Sequence, residues 1–340
     1  MSDRRSHRVA VIGGDGIGPA VTEAALEVVA AAGVTLDTTP FDLGAARYLR
    51  DGFVLDDATL EELRGYDAIL LGAIGPAIGD TRIAGGVLER GLLLRIRFGL
   101  DLYINYRPFT GQSGSLAAGH SFAIVRENTE GPYGGEGGVL RYGTQHEVAT
   151  QGSVNTRFGV ERCVRYAFER ASVLDRPTLT LVHKTNVLTF AGDLWRRVVA
   201  EVGEEYPKVI VDYQHVDAAC IYLVDDPQRY GVIVTDNLFG DILSDLAGAV
   251  TGGIGYAASA NLNPAMTGAS LFEPVHGAAH DLVGTNRANP LAAVSSAVLM
   301  LEHLGEDAAA QRIAHAVADF DGDVTVLGTS GVSKELQERL

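Results

Sequence analysis

Cysteine is almost absent from this 340-residue chain, with only Cys163 and Cys220 present and no short ligand spacing between them. That excludes a disulfide framework and a thiolate metal centre, and it suits a reducing, cytoplasmic compartment. Positive charge is also scarce: 27 Lys and Arg stand against 43 Asp and Glu, for a formal charge of −16. No stretch gathers enough Lys and Arg to outweigh that repulsion, so a nucleic acid is not expected as a partner. Long apolar runs are missing too. The longest, residues 68–78, is interrupted by Gly72, Gly75 and Pro76 and is too short to span a bilayer, so no membrane association is expected. The N-terminus has basic residues and a short apolar run, but the run breaks at Gly13, too soon for a signal-peptide core. Internal repeats and low-complexity tracts do not occur.

What remains has the balance of a globular protein, 46% hydrophobic and 21% charged, at a length that favours two domains over one. Residues 8–12 form a β-branched apolar run, followed by Gly13-Gly14-Asp15-Gly16-Ile17-Gly18 and a helix-opening Pro19. Helical spacing follows over residues 21–32. Buried strands are expected at 67–71, 121–125, 179–182, 209–211 and 232–234, and the alternation predicts an α/β fold with parallel strands.

Several clusters could carry chemistry. The first glycine loop, Gly14-x-Gly16-x-Gly18, misses the G-x-G-x-x-G dinucleotide fingerprint, and by itself reads as a tight turn. Arg90, Arg95 and Arg97 cluster in one segment, with Arg107 and Arg126 further on. Planar guanidinium groups suit bidentate clamping of carboxylates, although Arg90 and Arg95 read as a solvated helix face. Asp241 and Asp245 share one face of a helix expected to begin near Gly240. With a third carboxylate such as Asp217 they would make a hard oxygen site for Mg²⁺ or Mn²⁺; by spacing alone they read as first-turn helix charge. Lys184 follows a buried strand, where a lysine needs a partner or a lowered pKa, and Tyr133 sits on a loop as a proton donor or a turn cap.

In order along the chain, four segments resemble the β-decarboxylating dehydrogenase family: Gly14-Asp15-Gly16-Ile17-Gly18-Pro19, Arg126-Glu127-Asn128-Thr129-Glu130-Gly131-Pro132-Tyr133, Lys184-Thr185-Asn186, and the run from Asp236 to Asp245. The family includes enzymes for isocitrate, 3-isopropylmalate, homoisocitrate and tartrate or malate. The resemblance implies an isocitrate/isopropylmalate dehydrogenase-like fold that is not a Rossmann fold, with two α/β domains sharing a large central sheet. Residues 1–102 with 252–340 are the expected cofactor-binding domain, and 103–251 the domain for substrate, metal and dimerisation.

The segment Glu89-Arg90-Gly91-Leu92-Leu93-Leu94-x-x-Arg97 is similar to that of the 3-isopropylmalate branch, in which leucines hold the alkyl group. This implies NAD-dependent oxidative decarboxylation of 3-isopropylmalate in leucine biosynthesis. Sister readings are a different 3-substituted malate or a non-catalytic regulatory subunit. By the same resemblance Glu89, Leu93, Leu94, Arg97, Arg107, Arg126 and Val187 bind substrate, Asp217, Asp241 and Asp245 bind the metal, and Tyr133, Lys184 and Asp217 move protons. Lys184, Asp217 and Val187 are implied to come from a partner subunit, which makes a homodimer obligatory. Ile12, Ala73, Asn186, Glu273, His276, Gly277, Ala279, Asp281 and Asn289 are implied to contact the cofactor. Asp281 sits near the ribose, where a carboxylate repels a 2′-phosphate and favours NAD. The chain departs from the family pattern at Ala20, where Glu is common, at Asn128, where isopropylmalate enzymes often have Gly, and at His280, where Pro is usual.

Overall fold

The computed structural model describes residues 6–265 and 268–340; Arg4 and Arg5 of the basic N-terminal stretch lie outside them. Two compact units divide the chain, residues 1–102 with 253–340 and residues 103–252.

The first unit opens with β1 (His7–Gly14), α1 (Gly18–Ala31), β2 (Leu36–Pro40), α2 (Ala45–Asp51), α3 (Asp57–Arg64) and β3 (Ala68–Ala73). Pro19 lies in the first turn of α1, where its missing N–H costs nothing. The Asp56 side chain caps α3 by accepting from Thr59 N. β3 is buried at every residue, as its unbroken apolar sequence requires. After a segment without regular structure come a π-helical turn (Glu89–Leu94) and the short α4 (Arg95–Gly99).

The second unit contains β4 (Ile104–Thr110), β5 (Ser121–Glu127), the exposed hairpin of β6 (Gly137–Leu140) and β7 (Val148–Gln151), α5 (Arg157–Ser172), β8 (Thr178–His183), α6 (Thr189–Gly203), β9 (Ile210–His215), α7 (Val216–Asp225), β10 (Val232–Thr235) and α8 (Asn237–Val250). Its strand order is β4-β5-β10-β8-β9, parallel except for the β4–β5 pair. Trp195 of α6 is wholly buried and donates its indole N–H to Asn155 at 3.0 Å.

The chain then completes the first unit with β11 (Ala258–Leu262), β12 (Ser270–Pro274), α9 (Leu291–His303), α10 (Asp307–Ala318) and α11 (Val324–Glu338). The order there is β2-β1-β3-β12-β11, with only β11 antiparallel. One core packs α1 against α9, α10 and α11 through Val21, Val28, Val294, Leu301 and Leu336; a second packs Ile12, Ile69 and Leu71 against Leu63, Leu92 and Ile96. Both units are thus α/β layers, as the alternating sequence pattern predicts, but the expected all-parallel strand arrangement is corrected by one antiparallel pair in each, β4–β5 and β11–β12. Among the described residues, no helix is long and apolar enough to cross a membrane.

Candidate active site

In the second unit the chemistry gathers where β5 and β10 end and α8 begins. The expected start of α8 near Gly240 is corrected to Asn237, because the Asp236 side chain caps the helix by accepting from Phe239 N at 2.8 Å. Asp241 therefore lies past the first turn, and the first-turn charge reading loses its basis. Arg126, wholly buried, crosses α8 at Gly240, where an added Cβ would stand 2.5 Å from the arginine side chain; only glycine leaves that path open. Its guanidinium donates to Asn237 O at 2.7 Å, to Asn237 Oδ1 and, at 2.6 Å, to Asp241 Oδ1. The Tyr133 hydroxyl, on a 3-10 turn, donates to Asp241 Oδ2 at 2.7 Å. Arg107 donates to the Ser244 hydroxyl and stands 3.9 Å from Asp241.

Asp245 lies one turn beyond Asp241. Its carboxyl is pushed above the usual range by desolvation and by the neighbouring Asp241 charge, against the pull of Arg107 and Arg126. A carboxyl raised by burial and by a neighbouring carboxylate suits a divalent cation, whose charge relieves the repulsion. Among the described residues, no group of three His, Cys, Asp or Glu converges in one chain.

Lys184 follows β8 directly, and its ammonium meets Asp217 Oδ1, at the start of α7, at 2.6 Å. The ammonium holds the Asp217 carboxyl below its usual range. The pairing supplies the partner that a lysine after a buried strand needs. Asn186 and Val187, beyond it, are exposed.

Beneath the Tyr133 loop, burial pushes the Glu127 carboxyl up to about 7, opposed by hydrogen bonds from Thr129 and from Glu130 N. Glu130 in turn accepts from Thr156 N at 2.7 Å, so the loop is fastened to the start of α5.

In the first unit Glu89 and Leu94 lie on the π-helical turn, Glu89 exposed and Leu94 half-buried, while Leu93 packs on the core. Such turns are uncommon and recur at functional sites. Arg97, one helical turn past Leu93, donates to Glu273 Oε1 at 2.9 Å, and Asn261 donates to the same oxygen at 2.8 Å. Arg90 is exposed, and Arg95 pairs with Asp57, in keeping with a solvated face. His276, Ala279 and Asn289 are half-buried, Gly277 and Asp281 exposed, while Ile12 and Ala73 are buried at 0% and 4% and present no open surface.

Asn237 and Ser244 escaped the sequence reading although both hold a site arginine. The signal was available: with Asp241 they repeat at the i, i+4, i+7 spacing of one helix face.

Residues 8–323 match the isocitrate/isopropylmalate dehydrogenase family. The chain belongs to that family. It is 58% identical over 318 residues to the 3-isopropylmalate dehydrogenase of Mycobacterium avium (strain 104), covering 92% of this chain and 93% of that protein. It is 55% identical over 323 residues to the 3-isopropylmalate dehydrogenase of Clavibacter sepedonicus, with 93% and 91% covered. Among solved structures, isocitrate dehydrogenase from Methylococcus capsulatus superposes with a TM-score of 0.86 at 36% identity, covering 98% of this chain and 99% of that one. A β-decarboxylating dehydrogenase from Thermococcus kodakarensis gives 0.80 at 36% identity, with 98% and 96% covered. Membership of this dehydrogenase family implies a nicotinamide cofactor and a divalent metal.

Proposed function

We propose that this enzyme oxidises 3-isopropylmalate with NAD and Mg²⁺ or Mn²⁺ and removes its β-carboxylate to give 2-oxo-4-methylpentanoate, in the cytoplasmic synthesis of leucine. The observation that carries this is the segment from Glu89 to Arg97, which sets two leucines one turn from a guanidinium already held by Glu273. An apolar pocket beside a carboxylate clamp suits an alkyl-branched dicarboxylate and penalises a third carboxylate. The names and 55–58% identity of the relatives support the same substrate.

Arg97, Arg107 and Arg126 hold the substrate carboxylates in this reading, with Glu89, Leu93, Leu94 and Val187 around the alkyl group. Asp241 and Asp245, with Asp217 of a second copy, are the metal ligands. A divalent metal held by these aspartates would supply charge to polarise the C2 hydroxyl, and a nicotinamide cofactor would be the hydride acceptor. The hydroxyl proton passes to the Lys184 amine as the lysine's own proton moves to the bonded Asp217 carboxylate. Loss of CO₂ from the 2-oxo acid leaves an enolate, and Tyr133 protonates it at C3. Asp281 reads the ribose, with His276, Gly277, Ala279 and Asn289 along the dinucleotide and Glu273 and Asn186 toward the nicotinamide; Ile12 and Ala73, buried in the core, are left out of this contact set. The homodimer is supported by the apolar side chains exposed on the β6–β7 hairpin, Val139, Leu140 and Val148, and on α7 and α8, Ile221, Val224, Leu238 and Ile242.

The test supplies 3-isopropylmalate, isocitrate, tartrate and malate separately with NAD and Mg²⁺ and follows NADH. Rapid NADH formation with 3-isopropylmalate alone is expected. Turnover of another of these acids in its place would overturn the substrate and move the pocket assignment.

A further inference from the structure

His280 stands one residue before Asp281, in the segment read as binding the dinucleotide, and replaces the proline of the family pattern. Its imidazole reaches away from that segment: Nε2 lies 2.8 Å from the Gly75 carbonyl oxygen. A carbonyl only accepts, so Nε2 carries the proton and donates it. Proline at this position could make no such bond. Gly75 is held from its other side as well, since its N–H donates to the buried Asp15 carboxylate at 3.0 Å. That carboxylate is itself fixed by Ala45 N at 2.7 Å and Ala46 N at 3.0 Å. Gly75 has a φ of 145°, which favours glycine, and it lies near the start of the stretch without helix or strand, residues 74–86, that leads toward Glu89 and the leucines of the π-helical turn. Further along, the chain is anchored by the buried Ile83 and Leu88.

We propose that His280 is a positioning residue: it ties the dinucleotide segment to the stretch that leads into the substrate pocket, so that cofactor and substrate each tighten the other's binding through the Gly75 carbonyl. The inference rests on the assignment of Asp281 to the cofactor and of Leu93, Leu94 and Arg97 to the substrate. A dinucleotide that orders residues 276–290 fixes His280 and with it Gly75, and the substrate then orders less of the chain when it binds. Linkage makes the effect reciprocal.

The experiment measures the dissociation constants of NADH and of 3-isopropylmalate with Mg²⁺, each alone and in the presence of the other, for the wild type, His280→Ala, His280→Pro and His280→Gln. Position 280 opens a 3-10 turn, where proline is tolerated, and NADH binding by itself reports that the segment is folded in each variant. The wild type should show mutual tightening. The Ala and Pro variants should lose about 3- to 10-fold of it, the worth of one hydrogen bond, with NADH binding alone nearly unchanged. Gln, which keeps an N–H donor, should retain most of it. Equal tightening in all four proteins, or none in the wild type, would overturn the proposal. So would a variant that binds NADH weakly yet keeps full tightening, since His280 would then be a cofactor contact rather than a tie. A wild type that binds no NADH at all would overturn the cofactor assignment and the tie together.

Discussion

Two short contacts carry the proposed proton chemistry at the scale of single residues: Lys184 to Asp217 at 2.6 Å and Tyr133 to Asp241 at 2.7 Å. In the proposed site the arginines hold the substrate's carboxylates, and neither side chain is needed for that. Lys184→Ala and Tyr133→Phe should therefore each lower kcat by about 10²- to 10⁴-fold, as loss of a general acid or base does, with KM changed far less. Steady-state kinetics on both variants checks this, and an unchanged kcat would remove the residue from the mechanism. Asp281 is exposed, so its charge can be reversed without disturbing the core. Asp281→Lys should weaken NAD and admit NADP, and an unaltered NAD/NADP ratio of kcat/KM would show that Asp281 does not read the ribose. The need of Lys184 for a partner or a lowered pKa and the Asp241–Asp245 spacing were legible in the sequence, because a lysine after a buried strand is costly alone and two aspartates four apart share a helix face; that Asp217 is the partner was not. The passage of Arg126 over Gly240 was not. That contact joins residues 114 positions apart, and no local pattern announces it.

Helix and strand ends explain what the sequence misplaced at the next scale. Helical periodicity over the Asp236–Asp245 run does not say where α8 starts; the cap does, and Asp236 supplies it. The π-helical turn at Glu89–Leu94 has the same apolar spacing as an ordinary helix, so its extra residue per turn leaves no mark in the pattern. The ends of β8 and β10 also set up a pH effect. His183 is wholly buried, and burial pushes its pKa down to about 4; Asp236 faces it at 3.5 Å, and burial pushes that carboxyl up to about 6. Between pH 4 and 6.5 the unfolded chain holds more protons on the histidine than the folded one does, so this group's stability is lost as pH falls. The raised aspartate acts in the opposite sense between its ordinary pKa and about 6, and the two largely offset. Asp236→Asn keeps the helix cap and leaves the histidine alone. Its stability, read from urea midpoints, should fall on going from pH 7 to pH 4.5 by on the order of 2 kcal/mol more than the wild type's. Parallel curves for the two proteins would refute the offset.

At the scale of the whole molecule, the α/β class followed from apolar strands alternating with helical periodicity, and β1, β3, β5, β8 and β10 all lie where those runs are. The hairpin β6–β7 was not foreseen, since its residues are exposed and carry no burial pattern. Its apolar surface and that of α7 and α8 support the proposed shared-site dimer, which mixing can test. Lys184→Ala protein and Asp241→Asn protein, each inactive alone, should regain about a quarter of wild-type activity after subunit exchange, because half of the random dimers carry one intact site. No recovery would place each site within one chain.

The central claim is that oxidation at C2 and loss of the β-carboxylate occur together on one alkyl-branched substrate. The most direct measurement incubates the enzyme with 3-isopropylmalate, NAD and Mg²⁺ and counts NADH and CO₂ while identifying the acid formed. One CO₂ per NADH with 2-oxo-4-methylpentanoate as the product is the predicted result, and NADH without CO₂, or no turnover of this acid, would contradict it.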